Sequence, residues 1–167
     1  MAYIESAQAS AEPEGCIFCQ KPQAGEDEAN YILARSERAF AMLNAFPYNP
    51  GHLMVAPFRH EGELEELEPG ELADASALIQ RSIRALKEAS GPDGFNVGIN
   101  LGRVAGAGIP GHLHWHVVPR WNGDTNYMAV VGETRVLPEL LSETYAKLKP
   151  LFKPRVSDVT SAIRRHI

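Results

Sequence analysis

Three histidines stand at alternate positions in residues 111–120, which read GHLHWHVVPR. Side chains alternate between the two faces of a β-strand, so His112, His114 and His116 share one face if this segment is extended. Their Cα atoms then lie about 6.6 Å apart from one histidine to the next. The other face carries Leu113, Trp115 and Val117. The pattern predicts a strand with an apolar face and a face of imidazoles.

Three aligned imidazoles suit two kinds of chemistry, and the residues alone leave both open. Neutral imidazole is a good zinc ligand, so two or three of these side chains could hold a metal. Alternatively, one imidazole could attack phosphorus or a carbonyl carbon, because a pKa near ~6.5 leaves the nucleophilic form abundant at neutral pH. A half-exposed strand whose histidines have no chemical role is the third interpretation.

A glycine-rich loop, residues 102–111 (GRVAGAGIPG), leads into the histidines. Glycine allows backbone N–H groups to approach an anion closely. Arg103 and Arg120 bracket the segment, and an arginine can donate two N–H groups to one phosphate. This combination favours phosphate chemistry.

The strands that must position these residues are indicated by apolar alternation and turn residues. Residues 38–44 and 52–57 read as extended segments on either side of FPYNPG, a strong turn sequence. They predict an antiparallel hairpin with a loop longer than the tightest type. Residues 95–100 also alternate as a strand does.

Two helices are predicted from apolar spacing. Steps of three and four residues predict one long helix over 69–90, with Gly91 as its stop. A C-terminal helix is predicted over 137–148, ended by Pro150. Strands interrupted by one long helix are typical of an α+β domain with a mainly antiparallel sheet.

Composition limits the class of protein. The 167 residues, 44% of them apolar, suit one globular domain, and a net charge of −5 argues against a binder of nucleic-acid polymers. The start of the chain lacks the pattern of a secretory signal, and the apolar runs are too short for a membrane helix. We therefore expect a cytoplasmic protein without membrane contact. Residues 1–15 lack periodicity and predict a flexible tail.

The sequence resembles the histidine triad (HIT) family. The segment from His112 to Val118 matches the family signature, His-x-His-x-His followed by two apolar residues. Residues 40–57 are similar to the first hairpin of the family, and CIFC is similar to a cysteine pair of many bacterial members. Residues 116–124 (HVVPRWNGD) resemble the branch that handles diadenosine polyphosphates, including hydrolases and bacterial diadenosine tetraphosphate phosphorylases. The resemblance covers residues 16–150 as one domain and leaves 151–167 as a C-terminal extension.

The resemblance implies an enzyme with a covalent nucleotidyl-histidine intermediate. His114 is expected to attack the α-phosphate of a dinucleoside polyphosphate, most plainly diadenosine tetraphosphate, and water or phosphate then accepts the nucleotide. His112 and His116 are expected to stabilise charge on the phosphate. His52 either completes this catalytic group or buttresses His116. A homodimer, and magnesium accompanying the substrate, are implied in the same way.

The resemblance also implies contacts with the nucleotide. Asn44 matches a position that hydrogen-bonds ribose, and Met42 beside it is expected in the adenine pocket, with ordinary hairpin core as the alternative. Asn100 matches a polar position that reaches the phosphate. Gly108 and Ile109 stand where many relatives carry Gln, Ser or Thr, so only backbone donors remain there.

The cysteine pair implies a structural zinc. Cys16 and Cys19 supply half of a tetrahedral site, and zinc-bearing relatives complete it with residues that match His60 and His112. Free thiols or a redox pair are the alternatives. Three other functions stay open: a catalytic metal held by the triad, a non-catalytic nucleotide sensor that binds zinc, and a hydrolase of nucleoside phosphoramidates.

Overall fold

The computed structural model describes residues 15–124 and 139–152. Most of the predicted tail, the predicted extension from 153 onward, and the first two residues of the predicted helix 137–148 lie outside the described residues.

Five strands form one antiparallel sheet in the order β1-β2-β3-β5-β4. Their bounds are Ile32–Arg35 (β1), Ala39–Leu43 (β2), Leu53–Pro57 (β3), Gly94–Ile99 (β4) and Trp115–Arg120 (β5). The predicted hairpin is therefore β2 and β3, and the α+β prediction is confirmed. Strand β1 was not predicted, because its four residues are too few for an alternation to stand out.

Three helices accompany the sheet. They are Ile17–Gln23 (α1), Pro69–Ser90 (α2) and Leu141–Leu148 (α3), with short 3₁₀ turns at Leu64–Glu66 and Lys149–Phe152. Both predicted helices are present, but the C-terminal one begins at Leu141, so residues 139–140 of its predicted span are not helical. Helix α2 has the predicted bounds, and Gly91 ends it in the left-handed conformation at φ 54°. Helix α1 was missed. It is only seven residues long and contains Pro22.

The alternation of side chains divides the interior into two layers. Ala39, Ala41 and Leu43 of β2 face α2 and α3, where they join the larger core cluster. Phe40 and Met42 face the other way and pack with Cys16, Phe18 and Cys19 at α1. Helix α1 thus covers the opposite side of the sheet from α2, and this is the side toward which the histidines point.

Register brings one histidine to the middle of that second face. His116 lies opposite Met54 of β3 on one side and opposite Gly98 of β4 on the other. The predicted strand across all three histidines is wrong at its start, because β5 begins at Trp115. The residues just before β5 form other backbone hydrogen bonds. His112 N–H donates to the Ile109 carbonyl and Leu113 N–H donates to the Glu61 carbonyl, at 3.2 and 2.6 Å.

Candidate functional site

Two consecutive hydrogen bonds determine which ring nitrogen carries the hydrogen in neutral His52 and His116. The backbone N–H of Tyr48 donates to His52 Nδ1 at 3.1 Å, so that nitrogen carries no hydrogen in the neutral ring. His52 Nε2 therefore carries the hydrogen and donates it to His116 Nδ1, 2.9 Å away. In a neutral His116 the remaining hydrogen is then on Nε2. The pair presents an N–H donor from His116.

Asn44 lies at the same pair of rings. Its side-chain amide Nδ2 donates to His52 Nδ1 at 3.3 Å, and its Oδ1 accepts the backbone N–H of Phe46 at 2.9 Å. The residue is buried at the end of β2, and it links the hairpin loop to the histidines. The fold thus brings Asn44 and His52 into contact.

The hydrogen-bond pattern of His114 is the reverse of the pattern in His116. His114 Nδ1 donates to the backbone carbonyl of His112 at 2.8 Å, so the neutral ring carries its lone pair on Nε2. The ring lies 5.0 Å from the His116 ring, centroid to centroid. One ring therefore presents a lone pair and its neighbour presents a donor, which is the pairing that nucleophilic attack on a phosphate needs.

Burial keeps these imidazoles neutral. It lowers the pKa of His52 to about 3, with the neighbouring His116 and His114 acting in the same direction. Burial and His114 lower the pKa of His116 to about 4. The pKa of His114 is also lowered by burial, against the hydrogen bond to the His112 carbonyl, which raises it. At neutral pH the lone pair on His114 is available.

Four ligand atoms converge beside the histidine pair. Cys16, Cys19, His60 and His112 each offer one, and all of these atoms lie within 4.8 Å of one another. The Cys16 Sγ to His112 Nδ1, Cys19 Sγ to His60 Nδ1 and Cys19 Sγ to His112 Nδ1 distances are 3.4, 3.3 and 3.5 Å. A tetrahedral zinc site places sulfur and nitrogen ligands about 3.6 Å apart. The donors and their spacing fit zinc.

The Cys19 thiol needs a cation beside it to become a ligand. Burial and the adjacent Cys16 raise the pKa of the Cys19 thiol to about 11, so the thiolate is disfavoured without positive charge beside it. A bound metal supplies that charge and deprotonates its thiol ligands.

His112 belongs to the metal-ligand group through Nδ1, and its other ring nitrogen is also engaged. Nδ1 faces the two sulfurs, and Nε2 donates to the Pro57 carbonyl at the end of β3, 2.9 Å away. The side chain has no exposed surface. The residue reaches the His114 ring through its backbone carbonyl.

The other predicted site residues are placed as follows. Met42 and Ile109 are buried in the layer under α1. The Asn100 amide donates to the Gly106 carbonyl at 3.3 Å, which ties the end of β4 to the glycine-rich loop that includes Gly108. Arg120, which the sequence offers as a phosphate contact, has protein partners in this structure. Its guanidinium donates to Asp124 Oδ1 at 2.7 Å and to Asn96 Oδ1 at 2.7 Å.

Two aromatic residues lie at the site although the sequence pattern did not predict them there. The Tyr48 ring lies 4.7 Å from the His52 ring and 6.0 Å from the His116 ring. The Phe18 ring lies 4.7 Å from His114 and 5.3 Å from His112. Tyr48 stands in a turn sequence and Phe18 in an unpredicted helix, so only the fold brings them to the histidines.

Comparison with known proteins gives the class. Residues 25–123 match the model of the HIT domain, more than half of the chain. The chain is 44% identical over 149 residues to the AP-4-A phosphorylase of Mycobacterium tuberculosis, covering 86% of this chain and 76% of that protein. It is 32% identical over 107 residues to the adenosine 5'-monophosphoramidase hnt1 of Schizosaccharomyces pombe, covering 64% and 75%.

A solved structure of a histidine triad family protein has a similar fold. A zinc-bound histidine triad family protein from Mycobacterium smegmatis superposes with a TM-score of 0.67 at 29% identity, covering 90% of this chain and 99% of that one. The chain belongs to the HIT family, as the sequence predicts. Within its described part, none of the helices combines the length and apolar character that crossing a membrane requires.

The metal group predicts a clear difference between two histidine variants. His60→Ala removes one of four ligands, and we expect it to retain roughly a tenth or less of the zinc of the wild type after dialysis against a chelator. His52→Gln changes a buried histidine outside the group and should keep the metal. Elemental analysis measures the ratio of zinc to protein. Equal zinc in both variants contradicts the assignment of His60.

The lowered pKa of His52 predicts a pH dependence of stability. The folded form has a pKa of about 3, below the ordinary value of 6.5, so the unfolded chain binds a proton that the folded chain does not over this interval. The free energy of unfolding should therefore fall as the pH drops below about 6.5, by up to roughly 1.4 kcal/mol per pH unit for this group.

Urea denaturation between pH 5 and 7.5 measures this dependence, since few carboxylates titrate in that range. His52→Gln, which does not titrate, should show a shallower fall below pH 6.5 than the wild type. A variant curve parallel to that of the wild type would show that His52 is not the group responsible.

Proposed function

We propose that the protein is a nucleotidyl enzyme that cleaves dinucleoside polyphosphates, diadenosine tetraphosphate first among them, at an α-phosphate. The observation that carries the proposal is the complementary pair of rings. His114 holds its Nδ1 hydrogen against the His112 carbonyl and presents Nε2 as a lone pair, beside the N–H donor of His116. Both rings are neutral at physiological pH because burial lowers their pKa.

The first step of the proposed reaction forms a covalent intermediate. The lone pair of His114 Nε2 attacks the α-phosphorus, and the bond from phosphorus to the bridging oxygen breaks. That oxygen leaves with the electron pair, so diadenosine tetraphosphate releases ATP and leaves AMP on the imidazole. The positive charge that the ring gains is stabilised by the carbonyl of His112, already hydrogen-bonded to Nδ1 at 2.8 Å.

The second step transfers the nucleotide to an acceptor and frees His114. Attack by phosphate gives ADP, and attack by water gives AMP; in both, the P–N bond breaks and its electron pair returns to Nε2. We propose phosphate as the acceptor. The 44% identity to an AP-4-A phosphorylase over most of both chains supports this choice.

Neighbouring residues have supporting roles in this proposal. His116 Nε2–H is the donor to the phosphate oxygens, and His52 holds the hydrogen that fixes His116 in this tautomer. Asn44 Nδ2 carries two hydrogens, of which His52 takes one, so the second is a donor for ribose. Asn100 and the backbone N–H of Gly108 are assigned to the phosphate chain. Magnesium accompanies the polyphosphate.

Of the two roles predicted for His112, the geometry supports zinc binding. Both its ring nitrogens are engaged within the metal group and with Pro57, and its imidazole is buried. Zinc there is structural: with Cys16, Cys19 and His60, it ties the start of α1 to the segment before β5.

Hydrolysis of nucleoside phosphoramidates is the second candidate reaction. It is favoured by the 32% identity to an adenosine 5'-monophosphoramidase over 107 residues. It needs the same nucleophile and differs in the leaving group, an amine in place of a polyphosphate.

Product analysis tests the function and the nucleophile together. With diadenosine tetraphosphate and phosphate, we expect ADP and ATP in equal amounts. His114→Ala should lose roughly a thousandfold or more in turnover while it still binds nucleotide, because the attacking group is gone. Chromatography of products with and without phosphate distinguishes the two acceptors.

Several outcomes would contradict this assignment. AMP formed at a rate independent of phosphate excludes phosphorolysis, and full turnover by His114→Ala excludes the nucleophile. Turnover of an adenosine phosphoramidate alone favours the second candidate. Nucleotide binding with no turnover of any of these substrates favours a sensor.

We also propose that the protein forms a homodimer through strand β4. At the opposite edge of the sheet, the carbonyl of Ile32 in β1 accepts hydrogen bonds from Tyr145 and Lys149. Strand β4 pairs only with β5 among the described strands, and its residue Val97 is 44% exposed. An uncovered apolar edge strand is suited to pairing with a second copy.

Sedimentation velocity tests the dimer. Val97→Lys places a charge on the exposed edge and should shift the protein toward the monomer, whereas Val97→Thr keeps the shape and should stay dimeric. A wild-type protein that sediments as a monomer at micromolar concentration contradicts the proposal.

A further inference from the structure

A phenylalanine between the two cysteines contacts the proposed nucleophile. Phe18 stands within CIFC, next to Cys19, and only 1% of its surface is exposed. Its ring centroid lies 4.7 Å from that of His114, with the two planes 31° apart. The same ring lies 5.3 Å from His112, the histidine of the metal-ligand group.

The cysteine segment is held rigidly. The backbone N–H groups of Cys19 and Gln20 both donate to the Cys16 carbonyl at 3.0 Å, which closes the first turn of α1. The Cys16 and Cys19 sulfurs face His112 Nδ1 at 3.4 and 3.5 Å. Phe18 is therefore carried on a turn whose two ends belong to the metal-ligand group.

We propose that Phe18 is a positioning residue for His114, and that binding of the metal by Cys16 and Cys19 holds Phe18 in this place. The inference rests on the proposed function for the reaction that it serves. It makes the metal-ligand group a determinant of how the nucleophile is oriented, beyond its structural part in holding α1 to the sheet.

The need for such a residue follows from the geometry of the His114 ring. One hydrogen bond, from Nδ1 to the His112 carbonyl, sets which nitrogen faces the substrate. Rotation of the ring about its bond to Cβ breaks that hydrogen bond and turns Nε2 away. Phe18 packs against the face of the ring and opposes this rotation, because close-packed aromatic neighbours leave little room for movement.

Two connections thus run from the metal-ligand group to the nucleophile. The first is the backbone carbonyl of His112, and the second is the side chain of Phe18. Because only 1% of Phe18 is exposed, its side chain offers almost no surface for a direct contact with substrate. Its effect should therefore be on the rate of the chemical step and not on the binding of the nucleotide.

Substitution at Phe18, with Phe40 as the matched control, tests the proposal. Phe40 is a fully buried phenylalanine in the same layer, 6.5 Å from Phe18 and 5.3 Å from Phe58. We expect Phe18→Ala to lower kcat by roughly 10-fold to 100-fold with KM changed by less than about threefold. Phe18→Leu should recover part of kcat. Phe40→Leu should lower Tm as Phe18→Leu does and keep kcat.

Two kinetic results would contradict the role proposed for Phe18. A raised KM with unchanged kcat makes Phe18 a wall of the nucleotide pocket and overturns the proposal. Equal losses of kcat in Phe18→Leu and Phe40→Leu reduce its role to general packing and overturn it too. If Phe18→Ala does not fold, Phe18→Leu carries the comparison alone.

A second measurement needs no substrate and so separates this inference from the proposed function. In ¹⁵N-histidine NMR spectra at neutral pH, zinc-bound wild type should show His114 with a protonated Nδ1 and an unprotonated Nε2. Phe18→Ala, and His60→Ala, which is designed to weaken metal binding, should show a mixture of the two tautomers.

An unchanged single tautomer in both variants would falsify the coupling. If wild type turns over no dinucleoside polyphosphate, the proposed function fails, and the tautomer comparison still decides whether Phe18 and the metal-ligand group orient the ring.

Discussion

The hydrogen bond from His114 Nδ1 to the carbonyl of His112 is the contact on which the arrangement of the site depends. It determines which nitrogen of the His114 ring carries the lone pair, over a distance of 2.8 Å. The carbonyl is itself held in place, because the side chain of the same residue lies between the two sulfurs and the Pro57 carbonyl. A side-chain contact thus fixes a backbone acceptor.

Two different backbone groups give the neighbouring rings of His114 and His116 opposite tautomers. A carbonyl, from His112, selects the lone pair on His114 Nε2, while an N–H, from Tyr48, acts through His52 to select the hydrogen on His116 Nε2. Backbone groups cannot change their donor or acceptor character, so each neutral ring is held in one tautomer, directly for His114 and through His52 for His116. Burial then keeps the rings neutral by lowering the pKa of each.

The sequence predicted the elements with strong periodicity and the residues with distinctive chemistry. Helix α2 and the hairpin were found because their signals are local, and the cysteine pair because cysteine is rare. The other two members of the metal-ligand group, His60 and His112, were identified through the resemblance to zinc-bearing relatives. The predicted start of β5 was wrong. Alternation in the sequence does not reveal that the Leu113 N–H donates to the Glu61 carbonyl and not to a neighbouring strand. Phe18 and Tyr48 lie near the histidines only through tertiary packing, which spacing does not encode.

The electrostatics of the site oppose the simple expectation that a polyphosphate is held by positive charge. The chain carries a net charge of −5, and the guanidinium of Arg120 is bonded to the carboxylate of Asp124. The donors that the proposed mechanism assigns to the phosphate are uncharged: the His116 imidazole, the Asn100 amide and the Gly108 backbone N–H. Hydrogen bonds from neutral donors are weaker than those from fixed cations, because water forms bonds of nearly equal strength with the same donors. Neutral donors can therefore bind the phosphate during transfer and still release the product nucleotide easily. Under the proposed mechanism this favours release of nucleotide after each transfer.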